Sequence, residues 1–209
     1  MPDAVRYRTG MKAEPTTSDA VRERILDAAI GQLRRHGEAK TNVVDIARAM
    51  GTSHTTLYRH FRSKAEIFDA VVEQAMRDEA AMASAFVDVD GPAADRLEAM
   101  VLALQARKRE RLAGDPEIYA LYRRIMEERP EIIAAYGRAM TGLVERILAD
   151  GVRRGELQIP DIGTAAGVVR DAVTVFVHPM HVEAGVRAGR PIEDMARAVV
   201  RTLVKAFIA

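Results

Sequence analysis

Apolar residues recur at spacings of three and four along most of this chain, the period of an amphipathic helix, and no segment alternates convincingly with the period of two that marks a strand. The pattern predicts an all-α protein. Ser18 and Asp19 open a first helix, striped by Val21, Ile25, Ala28, Ala29 and Leu33 and ended by His36-Gly37. Asn42 caps a short second helix, with Asp45 in its first turn and Val43, Ile46, Ala47 and Met50 on its inner face. Gly51 supplies the residue that can turn left-handed. Thr52 or Ser53 then caps a third helix, whose Leu57 and Phe61 point inward together. A fourth helix follows Ser63 and runs to about Ala85.

The stretch VDVDGPAAD after Phe86 breaks the pattern. Beyond it, helices are predicted over 93–112, 116–128, 130–154, 162–176 and 192–208, with Pro116, Pro130 and Pro191 at first-turn positions. The two imidazoles of His178-Pro179-Met180-His181 are close in sequence. Without a cysteine or a nearby carboxylate before Glu183 they are not read as a metal site, and Pro179 makes the segment a predicted loop. The implied division is an arm over 1–17 with Arg6, Arg8 and Lys12 as its cations, a helical unit over 18–80, and a larger helical unit over 81–209.

Charge changes the picture only when the chain is divided. The net charge is +1, but residues 1–64 hold 12 Lys and Arg against 7 Asp and Glu, a balance of +5, while the remainder stands at −4. A basic N-terminal part attracts phosphates. The outer face of the third helix carries His54, Thr55, Thr56, Tyr58, Arg59 and His60, a set of hydroxyls, imidazoles and a guanidinium suited to a DNA groove and its backbone. Lys64 opposes the dipole at the start of the fourth helix, which suits a phosphate seated there.

From Ile25 to about Val72 the order and gaps of several motifs agree with one family. They are ILDAA at Ile25–Ala29, HG at His36–Gly37, T-x-x-x-DIA at Thr41–Ala47, G-x-S at Gly51–Ser53, LYRHF at Leu57–Phe61 and SKAEIF at Ser63–Phe68. In this quarter of the chain the sequence resembles the DNA-binding domain of the tetracycline-repressor (TetR) family of bacterial regulators. The resemblance implies an N-terminal three-helix, helix-turn-helix domain and a helical C-terminal domain that binds an effector and dimerises. Carried onto this chain, phosphate contacts fall to Asn42, Tyr58, His60 and Lys64, and base or mixed contacts to Thr52, Ser53, Thr55, Thr56 and Arg59. Two positions depart from the family: Val44 stands where arginine is common, and Thr55 where glycine is common.

The last two long helices, about 162–178 and 192–208, are apolar on more than one side, through Val168, Val169, Ala172, Val175 and Phe176 in one and Val199, Leu203 and Phe207 in the other. That surplus predicts a homodimer contact and, with two-fold symmetry, a palindromic double-stranded operator. A pocket for a small hydrophobic effector is expected among Met100, Leu104, Tyr119, Tyr122, Met126, Tyr136, Met140, Leu143 and Phe176, because methionine adapts and tyrosine brings a polar tip.

Other classes are disfavoured. The four serines lie outside any G-x-S-x-G elbow, and no H-E-x-x-H, Glu-x-x-His or glycine-rich phosphate loop occurs, so no enzyme, metal or cofactor is predicted. The absence of cysteine fits a reducing cytoplasm, and no apolar run nears the roughly 20 residues of a membrane span. The expected function is a ligand-responsive, sequence-specific transcriptional regulator, a repressor released by an inducer. The alternative is an architectural DNA-binding protein without an effector.

Overall fold

Side-chain caps set the helix boundaries in the N-terminal part. The computed structural model describes residues 17–208, so the expected arm lies outside the described residues apart from Thr17, where the first helix begins. The oxygens of Asn42, Ser53 and Ser63 accept from the backbone N–H three residues on, at 3.0, 3.3 and 3.1 Å, and start α2 (Val43–Ala49), α3 (His54–Tyr58) and α4 (Lys64–Ser84). Ahead of them α1 runs from Thr17 to Lys40. Its continuous helix breaks at Gly37, as the sequence suggested, and a short further turn is joined to it across a kink. Gly37 turns left-handed at φ 71°, and helical turns resume to Lys40, with the Thr41 hydroxyl donating back to the Gly37 carbonyl at 2.8 Å.

The remaining helices are α5 (Ala93–Gly114), α6 (Pro116–Glu128), α7 (Pro130–Arg153), α8 (Ile162–Val177), α9 (Pro179–Arg187) and α10 (Ile192–Lys205), and there is no strand among the described residues. One of these corrects the sequence reading. The segment after His178 is a helix, not a loop, because Pro179 occupies its first position, where the missing N–H costs nothing and the fixed φ favours the helix. His178 is thus the C-terminal cap of α8 and the N-terminal cap of α9.

Two apolar cores form. The first gathers Ile25, Leu33, Ile46, Leu57, Phe61, Phe68 and Val72 of α1–α4, and is closed by Ile118, Leu121, Tyr122 and Ile125 of α6 and Ile132 of α7. The second gathers Leu97, Met100, Leu104, Val144, Ile147, Val169, Phe176, Ala196 and Val200 of α5, α7, α8 and α10. Tyr136 packs against both. Two ion pairs tie α1 to the start and end of α6: Arg34 donates to Asp115 at 2.5 Å, and Arg124 reaches Glu38 at 2.7 Å. No described helix is long and apolar enough to cross a membrane.

Candidate DNA-binding surface and internal chamber

The turn between α2 and α3 is built by Gly51, at φ 67°, and by the Thr52 N–H, which donates to the Ala47 carbonyl at 3.0 Å. Around the start of α3 three hydroxyls sit together: Thr52 donates to Thr56 at 3.1 Å, and Ser53 and Thr56 are also 3.1 Å apart. These bonds hold Thr52, Ser53 and Thr56 as one polar edge. Thr55 is exposed beside it, and Tyr58 is half exposed with the His54 ring edge-on at 6.3 Å.

Arg59 is exposed and has no acidic partner among the described residues. His60 is fixed through its backbone: Arg22 donates to its carbonyl at 2.6 Å while stacking on Phe61 at 4.1 Å. Arg22 had no signal in the α1 stripe, since it falls next to Val21 and on the edge of the buried face. Asn42 spends its carbonyl oxygen on the cap and keeps its amide N–H groups free. Lys64 has a second task away from the turn, because its ammonium donates to the Glu38 carbonyl at 2.9 Å near the end of α1. That bond accounts for a lysine at a helix start without requiring a phosphate there.

The second feature is a chamber of about 520 Å³ between α4, α5, α6, α7 and α8. Met100, Leu104, Tyr122, Met126, Tyr136 and Met140 line it. Tyr119 and Phe176 do not: Tyr119 donates its hydroxyl to the Pro179 carbonyl, and Phe176 is buried in the second core, as is most of Leu143. Residues without a signal in the apolar pattern also reach the chamber, namely Lys108, Arg170 and His178, and behind it lies Glu79. Lys108 donates to Glu79 at 2.5 Å and to the Tyr122 hydroxyl at 3.1 Å; Arg111 and Tyr136 also donate to Glu79, at 2.7 and 3.1 Å. The side chains of Glu79 and Lys108 are only 1% and 3% exposed.

Burial, with the nearby Glu79 charge, pushes the Tyr122 and Tyr136 phenols well above their usual range, so both are neutral donors. Burial pulls Lys108 down, opposed by Glu79. His178 is likewise held low by burial, with His181 and Lys108 adding to the effect.

Lys108 stands one further turn beyond the Met100–Leu104 spacing, and Glu79 beyond Val72–Met76, but spacing alone does not mark a charged residue as buried. A second hollow, of about 380 Å³, lies between residues 87–90 and the end of α7. It is lined largely by charged groups that pair with each other, Arg96 with Asp150 and Arg146 with Asp88 among them. Among the described residues no group of three His, Cys, Asp or Glu side chains could hold a metal.

Comparison with known proteins places both halves. Residues 25–71 match the family described as bacterial regulatory proteins, tetR family, and residues 93–204 match the tetracyclin repressor-like C-terminal domain. Among solved structures, the chain is similar to SmeT, repressor of the Stenotrophomonas maltophilia multidrug efflux pump SmeDEF. The identity is 21%, with 92% of each chain covered and a TM-score of 0.62. It is similar also to the fatty acid degradation regulator FadR from Bacillus halodurans (18% identity, 93% of this chain and 97% of that one, TM-score 0.62). FadR from Bacillus subtilis, in complex with stearoyl-CoA, gives 20% identity over 87% of this chain and 97% of that one, with a TM-score of 0.55. At such identities these likenesses speak for the fold alone. The family matches, one of which spans more than half of the 209 residues, identify the chain as a member of the tetracycline-repressor family and a helix-turn-helix, DNA-binding transcriptional regulator.

Proposed function

We propose that the protein is a homodimeric repressor that leaves a palindromic operator when a small, largely apolar molecule enters the chamber. The observation that carries the reading is a shared wall. Met76 on α4 and Tyr122 on α6 line the chamber and also belong to the core beneath the helix-turn-helix. Packed interiors transmit displacement because they have few voids to absorb it. An occupant that pushes Met76 or Tyr122 therefore shifts α4, whose first residue is Lys64, and α6, which is ion-paired to α1.

On the operator, Asn42, Tyr58, His60 and Lys64 hold phosphates, while Thr52, Ser53, Thr55, Thr56 and Arg59 meet bases or their edges. Dimerisation through α8 and α10 is supported by the exposed valines of α8, Val168 and Val175, at 50% and 47%. They stand seven residues apart, so on one helix face. The small exposed residues Ala198 and Thr202, with Ala206 just past the helix end, continue an approachable surface along α10.

The test is selection of binding sites from random DNA with the full-length chain at two salt concentrations. A palindromic site with steep salt dependence supports the reading. Uniformly weak binding to all DNA would return the protein to the architectural alternative. Sedimentation of Val168→Glu against the wild type tests the dimer: an unchanged mass would rule out that face.

A further inference from the structure

The chamber and its backing carry more positive than negative charge. Its lining includes Lys108, Arg138 and Arg170 against Asp171, and Asp171 is paired with Arg170 at 2.7 Å. Behind the lining, Glu79 is matched twice over, by Lys108 and Arg111. The ammonium of Lys108 has three N–H donors. One goes to Glu79 and one to Tyr122, and the third has no partner among the described residues.

His178 Nδ1 is buried without a partner, as is Arg170 Nε, and both residues line the chamber. Buried polar groups are rarely left unmatched, so Arg170 Nε, a donor, and His178 Nδ1, a donor in the tautomer that carries its proton there, mark where a partner is missing. Lys108 and His178 line the same chamber, between α5 and the end of α8. An organic cation finds no comparable place there. Lys108 itself already lies 4.7 Å from the Tyr122 ring centre and 5.6 Å from that of Tyr136, filling the aromatic site a cation would use.

We propose that the chamber selects an amphipathic organic anion, with a carboxylate-type head that accepts from Lys108 Nζ and His178 Nδ1 and an apolar body laid along Met100, Leu104, Met140 and Val173. The inference rests on reading the chamber as the effector site. Its volume lies within the range that takes small organic ligands, and a single-chain fatty acid of medium length fits that range.

The experiment is calorimetric titration of the full-length protein with three probes that share one tail: decanoate, 1-decanol and decyltrimethylammonium, each below micellar concentration. Decanoate is expected to bind at least about tenfold more tightly than either of the others, the ratio one charge-assisted hydrogen bond supports. Lys108→Met should remove that preference, bringing decanoate to the affinity of decanol. His178→Leu should reduce it in the same direction, and it carries the test alone if Lys108→Met does not fold. Equal binding of decanol or of the ammonium probe would overturn the anionic head while leaving the chamber as a ligand site. So would decanoate affinity indifferent to both substitutions. Binding of none of the three would overturn the chamber as an effector site, and with it the ligand response proposed above.

Discussion

Replacing Glu79 by leucine removes the carboxylate shared by Lys108, Arg111 and Tyr136. Arg111 would then stay charged at a side-chain exposure of 9%, and Lys108, at 3%, would be left either charged without a counter-ion in contact or driven to give up its proton. Breaking a buried pair by removing one partner costs about 3–5 kcal/mol, because the remaining charge is left without solvent or partner. For a chain of this length each kcal/mol lowers the melting point by about 2–4 °C, so the fall should be roughly 6–20 °C.

The double substitution Glu79→Leu with Lys108→Met removes both buried charges and leaves only Arg111, whose long stem can carry its head towards water. It should recover more than half of the loss. Urea unfolding followed by circular dichroism at one fixed protein concentration measures both, the concentration being held because a dimer's stability depends on it. A single-substitution cost below about 1 kcal/mol would refute the reasoning, as would a double variant no better than the sum of its parts.

Three further expectations can be checked directly. Gly151→Ala places a Cβ 2.7 Å from the Ala93 Cβ and 2.8 Å from Leu157 Cδ1, so it should cost about 1–3 kcal/mol by overpacking, read as a lower urea midpoint; no change would mean that α7 can shift freely against α5. His178 titrates below its ordinary value of 6.5, so between that lowered value and 6.5 the unfolded chain binds more protons, and stability should fall as the pH drops through this window. In His178→Gln that part of the decline should disappear, and parallel pH profiles of the two proteins would contradict it. On DNA, Tyr58→Phe should weaken all sequences alike, whereas Arg59→Ala should change the preference among operators. Equal loss by Arg59→Ala on specific and non-specific DNA would end its base-reading role.

Helical periodicity and capping residues were enough to locate nine of the ten helices among the described residues, because each carries its own stripe and most have a side-chain or proline start. The exception, α9, is short, and its opening proline carries two opposite meanings in sequence: helix breaker or first residue. The surface of α3 was equally legible, since solvent-facing polar residues follow from the positions of Leu57 and Phe61. The chamber's charged groups were not. Lys108 sits within the run Arg107–Arg111, which reads locally as a solvated face, and its partner Glu79 is 29 residues away on another helix. Only the packing of α4 against α5 and α7 makes a buried cluster of them. Tyr119 misled for a related reason: its spacing was right, but α9, the helix the sequence concealed, supplies the carbonyl that turns its hydroxyl away.

The α6 helix also redraws where one functional module ends and the next begins. By sequence it lies well inside the C-terminal match, yet Ile118, Leu121, Tyr122 and Ile125 close the core of the N-terminal helices. A chimera made by joining the first 80 residues to a relative's C-terminal part would therefore inherit a foreign lid. Its new residues would have to refill the same hollow and meet Arg34 and Glu38 with acceptable charges. Operator specificity in this protein is transplantable only together with the surface of α6 that seals it.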